Sequence, residues 1–286
     1  MKSIQGLGEI AGDYDLFLID QWGVIHNGET PYAGAIDTLA ELKSLGRPVV
    51  ILSNSARRAH VGVEKMDSMG IPREFYDHMV TSGEQAWQAL RHRNDPFHAG
   101  LGRRCLLFSW GDDRGLTGGG IDLDLVKDVA EADFILMAGT NREPLEHYEP
   151  VLQAALARKI PMICANPDLV SVTPDGELVI CPGQIARRYE EIGGFVQWHG
   201  KPHREVYKAC LALYPDAKRV LGIGDSLHHD IAGAAAAGID SLFIAAGVHA
   251  QALGIEWGET PSPARLETVY TEIGQRPNYA VPVFRW

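Results

Sequence analysis

The sequence predicts an α/β fold: a parallel sheet built from both ends of the chain, with a second α/β unit inserted between them. Three observations carry this reading. Apolar runs ending in small polar residues or a carboxylate recur at DLFLID (15–20), RPVVILSNS (47–55) and RVLGIGDS (219–226). Strand, helix and strand follow one another at βαβ spacing near both termini. The length of 286 residues also exceeds what one compact domain usually holds.

Residues 15–20 are apolar up to Asp20, as a strand buried on both faces requires. IDTLAELKSLG (36–46) then sets Ile36, Leu39, Leu42 and Leu45 on one helical side, with Gly46 as C-cap. The β-branched run Val49 to Leu52 completes the unit. The far end repeats the logic: a strand at about 219–223, a Gly-Asp turn, an Ala-rich helix at about 228–237, Gly238, and a strand at about 241–245. Between these ends, CLLFSW (105–110), ADFILMAG (132–139) and PMICANPD (161–168) read as strands, 112–122 as a loop, and 123–130 and 145–158 as helices. The pairs Ser82-Gly83 and Pro182-Gly183 read as hinges. The expected division is a core of 1–83 and 185–286 around an inserted unit at 84–184.

Composition narrows the function classes. Apolar content of 45% and charged content of 22% match soluble globular proteins. A net charge of −11 argues against a nucleic-acid partner, which calls for a basic surface. It leaves room for a small anionic substrate, because a cation and one or two lysines reverse the potential inside a cleft. Cys105, Cys164, Cys181 and Cys210 lack metal-site spacing and read as reduced thiols. With no apolar run reaching ~18 residues and no signal-peptide pattern at the N-terminus, a cytoplasmic protein without membrane partners is expected.

Ligands of an open parallel sheet gather at the carboxyl ends of its strands. Three strand ends here deliver polar groups, Asp20, Ser53 and Asp225, and Lys201 sits in the turn HGKPH before a helix. The set fits phosphoryl transfer. A carboxylate can attack phosphorus, paired carboxylates call for a hard cation between them, and a lysine and a hydroxyl bind the charged non-bridging oxygens. Each residue alone is commonplace as a cap or turn; the four in this order point to an active site.

The constellation resembles the haloacid dehalogenase superfamily over almost the whole chain. D-Q-W-G-V (20–24) matches its first motif D-x-D-G-[TV], ILSNS with Ser53 the second, GKP (200–202) the lysine motif, and GDSLHHD with Asp225 and Asp230 the acidic motif. VTSGEQA (80–86), ADFILMAG (132–139), ANPDLV (165–170), PGQIA (182–186) and GKP are similar, in order, to subclass IIA. This branch includes nucleotide, sugar and pyridoxal phosphatases and carries a C2-type α/β cap on a Rossmann-like core.

The resemblance implies Asp20 as nucleophile, with Mg²⁺ bound by Asp20, the backbone carbonyl of Trp22, Asp225 and Asp230. Ser53 and Lys201 would hold the phosphoryl group, with Asn54 and Gly23 beside it. Asn166 and Asp168 either approach the substrate or form a turn in the cap. A small phosphorylated metabolite is the implied substrate, and a homodimer would be in keeping with caps of this type.

One position departs from the pattern. The family's phosphatases carry a second aspartate two residues after the nucleophile, which protonates the leaving group; here it is Trp22. An indole N–H donates a hydrogen bond but shuttles no proton near neutral pH. Slow turnover of alkyl monoesters is therefore expected, or a substrate with a good leaving group. His26, His228 and His229 are weighed as substitute acids against structural roles in turns. The alternatives are carbon–phosphorus cleavage, for which no cap lysine stands out, dehalogenation, which needs no metal, and a catalytically impaired phosphate sensor.

Overall fold

Seven parallel strands form the larger sheet, in the order Lys2–Ser3, Tyr279–Val281, Asp240–Ile244, Val220–Gly224, Leu16–Ile19, Val49–Ser53 and His78–Thr81. These come from a computed structural model that describes residues 1–172 and 177–286. From Leu16–Ile19 the chain winds outward through Val49–Ser53 to His78–Thr81. It returns on the other side through Val220–Gly224. The winding direction therefore reverses between Leu16–Ile19 and Val220–Gly224, and the crevice at such a switch point is where an open α/β sheet takes its ligand.

Both faces of this sheet are covered, which explains its continuous apolar runs. Phe17, Ile19, Val49 and Ile51 pack with Leu39, Leu42 and Met66 from helices Ala35–Ser44 and Ala59–Ser68. The alternate residues Leu16, Leu18, Val50 and Leu52 pack against Val206, Tyr207 and Cys210 of helix Arg204–Ala212.

The middle of the chain forms a second parallel sheet, in the order Val196–Trp198, Met162–Cys164, Phe134–Met137, Arg104–Phe108 and Asp124–Val126. Ile135 and Met137 face helices Leu145–Ala157 and Pro182–Glu191, whereas Phe134 and Leu136 face Trp87 and Leu90 of helix Ser82–His92. Val170–Val172 and Leu178–Ile180 pair as an antiparallel hairpin.

Several details differ from the sequence reading. The helix expected at 123–130 is replaced by the edge strand Asp124–Val126, whose exposed and half-buried residues show no helical face. The middle sheet takes in Val196–Trp198, past the boundary set at 184. Ser82-Gly83 and Pro182-Gly183 are buried first turns of helices rather than hinges. Their glycines answer to close approach: a Cβ on Gly83 would stand 2.0 Å from the Ala56 carbonyl oxygen, and one on Gly183 2.2 Å from that of Pro167. The Ala-rich helix opens with a wide π-type turn, Leu227–Ile231, before Ala232–Ala237.

Candidate active site

Asp20 directly follows Leu16–Ile19, Ser53 closes Val49–Ser53, and Asp225 directly follows Val220–Gly224. The switch-point crevice thus receives all three. Lys201, in the turn preceding Arg204–Ala212, is only 2% exposed and enters the same crevice. Its Nζ lies 2.8 Å from Asp20 Oδ1 and 2.7 Å from Asp230 Oδ1. Carboxylate oxygens of Asp20, Asp225 and Asp230 come within 4.8 Å of one another.

Backbone donors and glycines fix these carboxylates. The Val248 N–H donates to Asp225 Oδ2 at 2.7 Å, and the Ser226 N–H to Asp230 Oδ2 at 3.0 Å. Room for Asp225 exists because residues 23 and 247 are glycines: a Cβ at either would lie 2.1 Å from Asp225 Oδ2. Gly23 also has φ of +79°, which favours glycine. Ser53 Oγ accepts from Gln21 Nε2 (2.7 Å) and the Ser55 N–H (3.1 Å), leaving its own hydrogen as a donor.

Burial dominates the electrostatics. It pushes the Asp20 carboxyl up to about 7, with the Lys201 ammonium pulling the other way and Asp230 adding repulsion. Asp225 is raised well above the usual carboxylate range by burial and then by Asp20 and Asp230. Burial works against the Lys201 charge, but Asp20 and Asp230 outweigh it and hold the ammonium well above its ordinary value. Three carboxyl groups facing one ammonium make an oxygen-rich cluster that is hard to ionise fully without further positive charge beside it. Such a donor set suits a hard divalent cation.

Asn54 joins three segments. Its Oδ1 accepts the Lys201 N–H (2.7 Å), while its Nδ2 donates to the Lys201 carbonyl (3.1 Å) and to Asp168 Oδ1 (2.8 Å). Its amide is thus engaged by protein on both sides. Asn166 Oδ1 accepts the Asp168 N–H at 3.0 Å in a local turn, and both residues line the cleft. The Gly23 N–H donates to the His26 carbonyl (3.0 Å). A cleft of about 1080 Å³ lies over the cluster, walled by core residues and by Leu107, Gln184 and Arg187 from the middle segment.

Trp22 lines this cleft, 40% exposed, with its ring edge-on to His26 and close over Gly28. His26 is buried, and burial followed by the Lys65 charge pushes it down to about 4; its Nδ1 accepts the Gly28 N–H. His228 is likewise lowered by burial. His229 Nε2 stands 3.7 Å from Asp168 Oδ1. Sequence reasoning missed Gln21, which orients Ser53, and His249, whose Nε2 accepts the Leu227 N–H at 3.1 Å. Gln21 adjoins Asp20, a signal that could have been used; His249 offers none.

Comparison with known proteins places this arrangement. A family profile described as haloacid dehalogenase-like hydrolase matches residues 17–115, and a HAD-hydrolase-like profile matches 198–269. A solved hydrolase of the haloacid dehalogenase-like family from Brucella suis is 30% identical, with a TM-score of 0.82, covering 98% of this chain and 99% of that one. The chain belongs to the haloacid dehalogenase-like hydrolases.

D-Glycerol 3-phosphate phosphatase of Mycobacterium tuberculosis is 26% identical over 272 residues, 94% of this chain and 70% of that protein. A glycerol phosphate phosphatase from the same organism, solved with magnesium, is 25% identical with a TM-score of 0.66 over 96% of this chain and 76% of that one. The chain is accordingly a hydrolase of the phosphatase kind on a Rossmann-like core with a second α/β unit, and a sensor without chemistry is not favoured. Among the described residues, no helix is long and apolar enough to cross a membrane.

Proposed function

We propose that this haloacid dehalogenase-like hydrolase cleaves a small phosphorylated metabolite through a covalent phosphoryl-Asp20, with Mg²⁺ as its cation. The supporting observation is the seat of Lys201, whose Nζ touches both Asp20 and Asp230 at 2.8 and 2.7 Å beside Asp225. A buried ammonium there orients the Asp20 carboxylate and, with the Ser53 hydroxyl, offers charge to the non-bridging phosphoryl oxygens. Asp20, the Trp22 carbonyl, Asp225 and Asp230 would hold Mg²⁺, which when bound neutralises the carboxylates and the phosphoryl group. Asn54 and Gly23 act beside the phosphoryl pocket by shaping it: one ties the Lys201 turn, the other clears space for Asp225. In this reading both ends of the chain form the catalytic core. The segment between them is the cap, with its end moved from 184 to about 199 by its edge strand.

Trp22 sets the preference among substrates. General acid catalysis contributes typically ~10²–10⁴ in rate, so losing the carboxylate at position 22 penalises poor leaving groups most. The test is hydrolysis of p-nitrophenyl phosphate and glycerol 3-phosphate with and without Mg²⁺, by wild type and Asp20→Asn. The expected result is metal-dependent turnover that favours the aryl ester and vanishes in Asp20→Asn. Turnover of the alkyl ester as fast as the aryl one would remove the Trp22 part of the reading. An active Asp20→Asn would remove the nucleophile.

A further inference from the structure

Asp168 is a carboxylate of the inserted unit that the fold carries to the core site. It lies on the loop after strand Met162–Cys164 and lines the cleft. Its Oδ1 is held by Asn54 Nδ2 at 2.8 Å, and the same Nδ2 bonds the carbonyl of Lys201, the residue that touches Asp20. His229 Nε2 faces the same Oδ1 at 3.7 Å. Asp168 Oδ2 has no hydrogen-bond partner among the described residues, and the side chain is 33% exposed toward the cleft. Among the described residues, the other carboxylates that line the cleft outside the Asp20, Asp225 and Asp230 cluster face cations: Asp113 lies 3.9 Å from Arg57, and Glu191 lies 3.7 and 3.8 Å from Arg187 and Arg188.

An in-line attack by Asp20 drives the leaving group away from the core and toward the cap. The position that serves as acid from the core side is here an indole. Resting on the phosphatase reading above, we propose that Asp168 is the general acid and base of this enzyme, supplied from the cap in place of the missing carboxylate at residue 22. As an Asp20 oxygen bonds to phosphorus and the ester P–O bond breaks, the Asp168 carboxyl passes its proton to the departing oxygen, which leaves as the alcohol. The Asp168 carboxylate then takes a proton from a water whose oxygen attacks phosphorus. The bond to Asp20 breaks, inorganic phosphate leaves, and Asp168 is protonated again. Catalysis on poor leaving groups then depends on the Asn54–Asp168 contact that holds cap to core.

The test is a leaving-group series, from p-nitrophenyl phosphate through phenyl phosphate to glycerol 3-phosphate, with wild type, Asp168→Asn and Asp20→Asn. Asparagine keeps an oxygen to accept from Asn54 Nδ2 but cannot exchange the proton. The expected outcome is a loss of about 10²-fold or more on the alkyl ester and under about fivefold on the p-nitrophenyl ester, so that kcat falls more steeply with leaving-group basicity. An equal loss across the series would reduce Asp168 to a contact between cap and core, and no loss would remove it from the reaction; either overturns the proposal. Activity surviving in Asp20→Asn would instead overturn the underlying reading, whatever Asp168→Asn does.

Discussion

Replacing Lys201 by methionine removes the ammonium from a buried cluster of carboxylates while keeping the stem's bulk. At 2.8 Å from Asp20 and 2.7 Å from Asp230, each pair is worth roughly 6 kcal/mol in an effective dielectric of about 20 before desolvation is subtracted. Burial of the ammonium, 2% exposed, cancels much of that gain. What remains after truncation is the cost of stranding two carboxylates, about 3–5 kcal/mol in comparable buried pairs. For a chain of this size that corresponds to a fall in Tm of roughly 6–20 °C at neutral pH. Because the variant's cluster is more negative, a divalent cation should bind it more tightly and raise its Tm more than it raises the wild type's. The assay is a thermal melt of both proteins in EDTA and in excess Mg²⁺. A variant that melts with the wild type in EDTA, or gains no more from Mg²⁺, would refute the placement of Lys201 between the carboxylates.

Three further outcomes follow from the same contacts. Trp22→Asp should raise kcat on glycerol 3-phosphate roughly 10- to 10²-fold in an Asp168→Asn background and change p-nitrophenyl phosphate turnover little, as read by steady-state kinetics on both esters. Gly83→Ala places a Cβ 2.0 Å from the Ala56 carbonyl, so urea unfolding should show a loss of about 1–3 kcal/mol. His199 is pushed down to about 3, by burial first and then by the His98 charge. The folded state therefore leaves this ring neutral below its ordinary value of 6.5 while the unfolded chain takes up a proton. Its contribution is complete above that value and is lost as pH falls toward 3, at about 1.4 kcal/mol per pH unit. Urea titrations between about pH 6.5 and pH 5 should show a shallower decline in His199→Asn than in wild type.

The strands that build the site were legible because a parallel sheet covered on both faces writes itself as apolar runs, and each run ends in the polar residue it presents. Asp20, Ser53 and Asp225 were readable in this way, and Lys201 through its turn and helix start. Edge elements were not. Asp124–Val126 has one covered face, three residues and a charged stretch after it, so its alternation is too short to oppose a helical reading. Ser82-Gly83 and Pro182-Gly183 misled for a different reason: glycine marks flexibility and tight packing with the same letter, and only the neighbouring Ala56 and Pro167 carbonyls distinguish them. The Asn54–Asp168 contact spans 114 positions and leaves no local trace. Asn54 read as a phosphate ligand because it follows Ser53, whereas its amide is taken up by the Lys201 turn and the cap.

The most direct measurement of the central claim is acid quenching during turnover of a substrate radiolabelled in its phosphoryl group, followed by peptide mapping. The account predicts label on the peptide containing Asp20, lost on chase with unlabelled substrate, dependent on Mg²⁺, and absent from Asp20→Asn. Steady hydrolysis without covalent label, or label on any other residue, would contradict it.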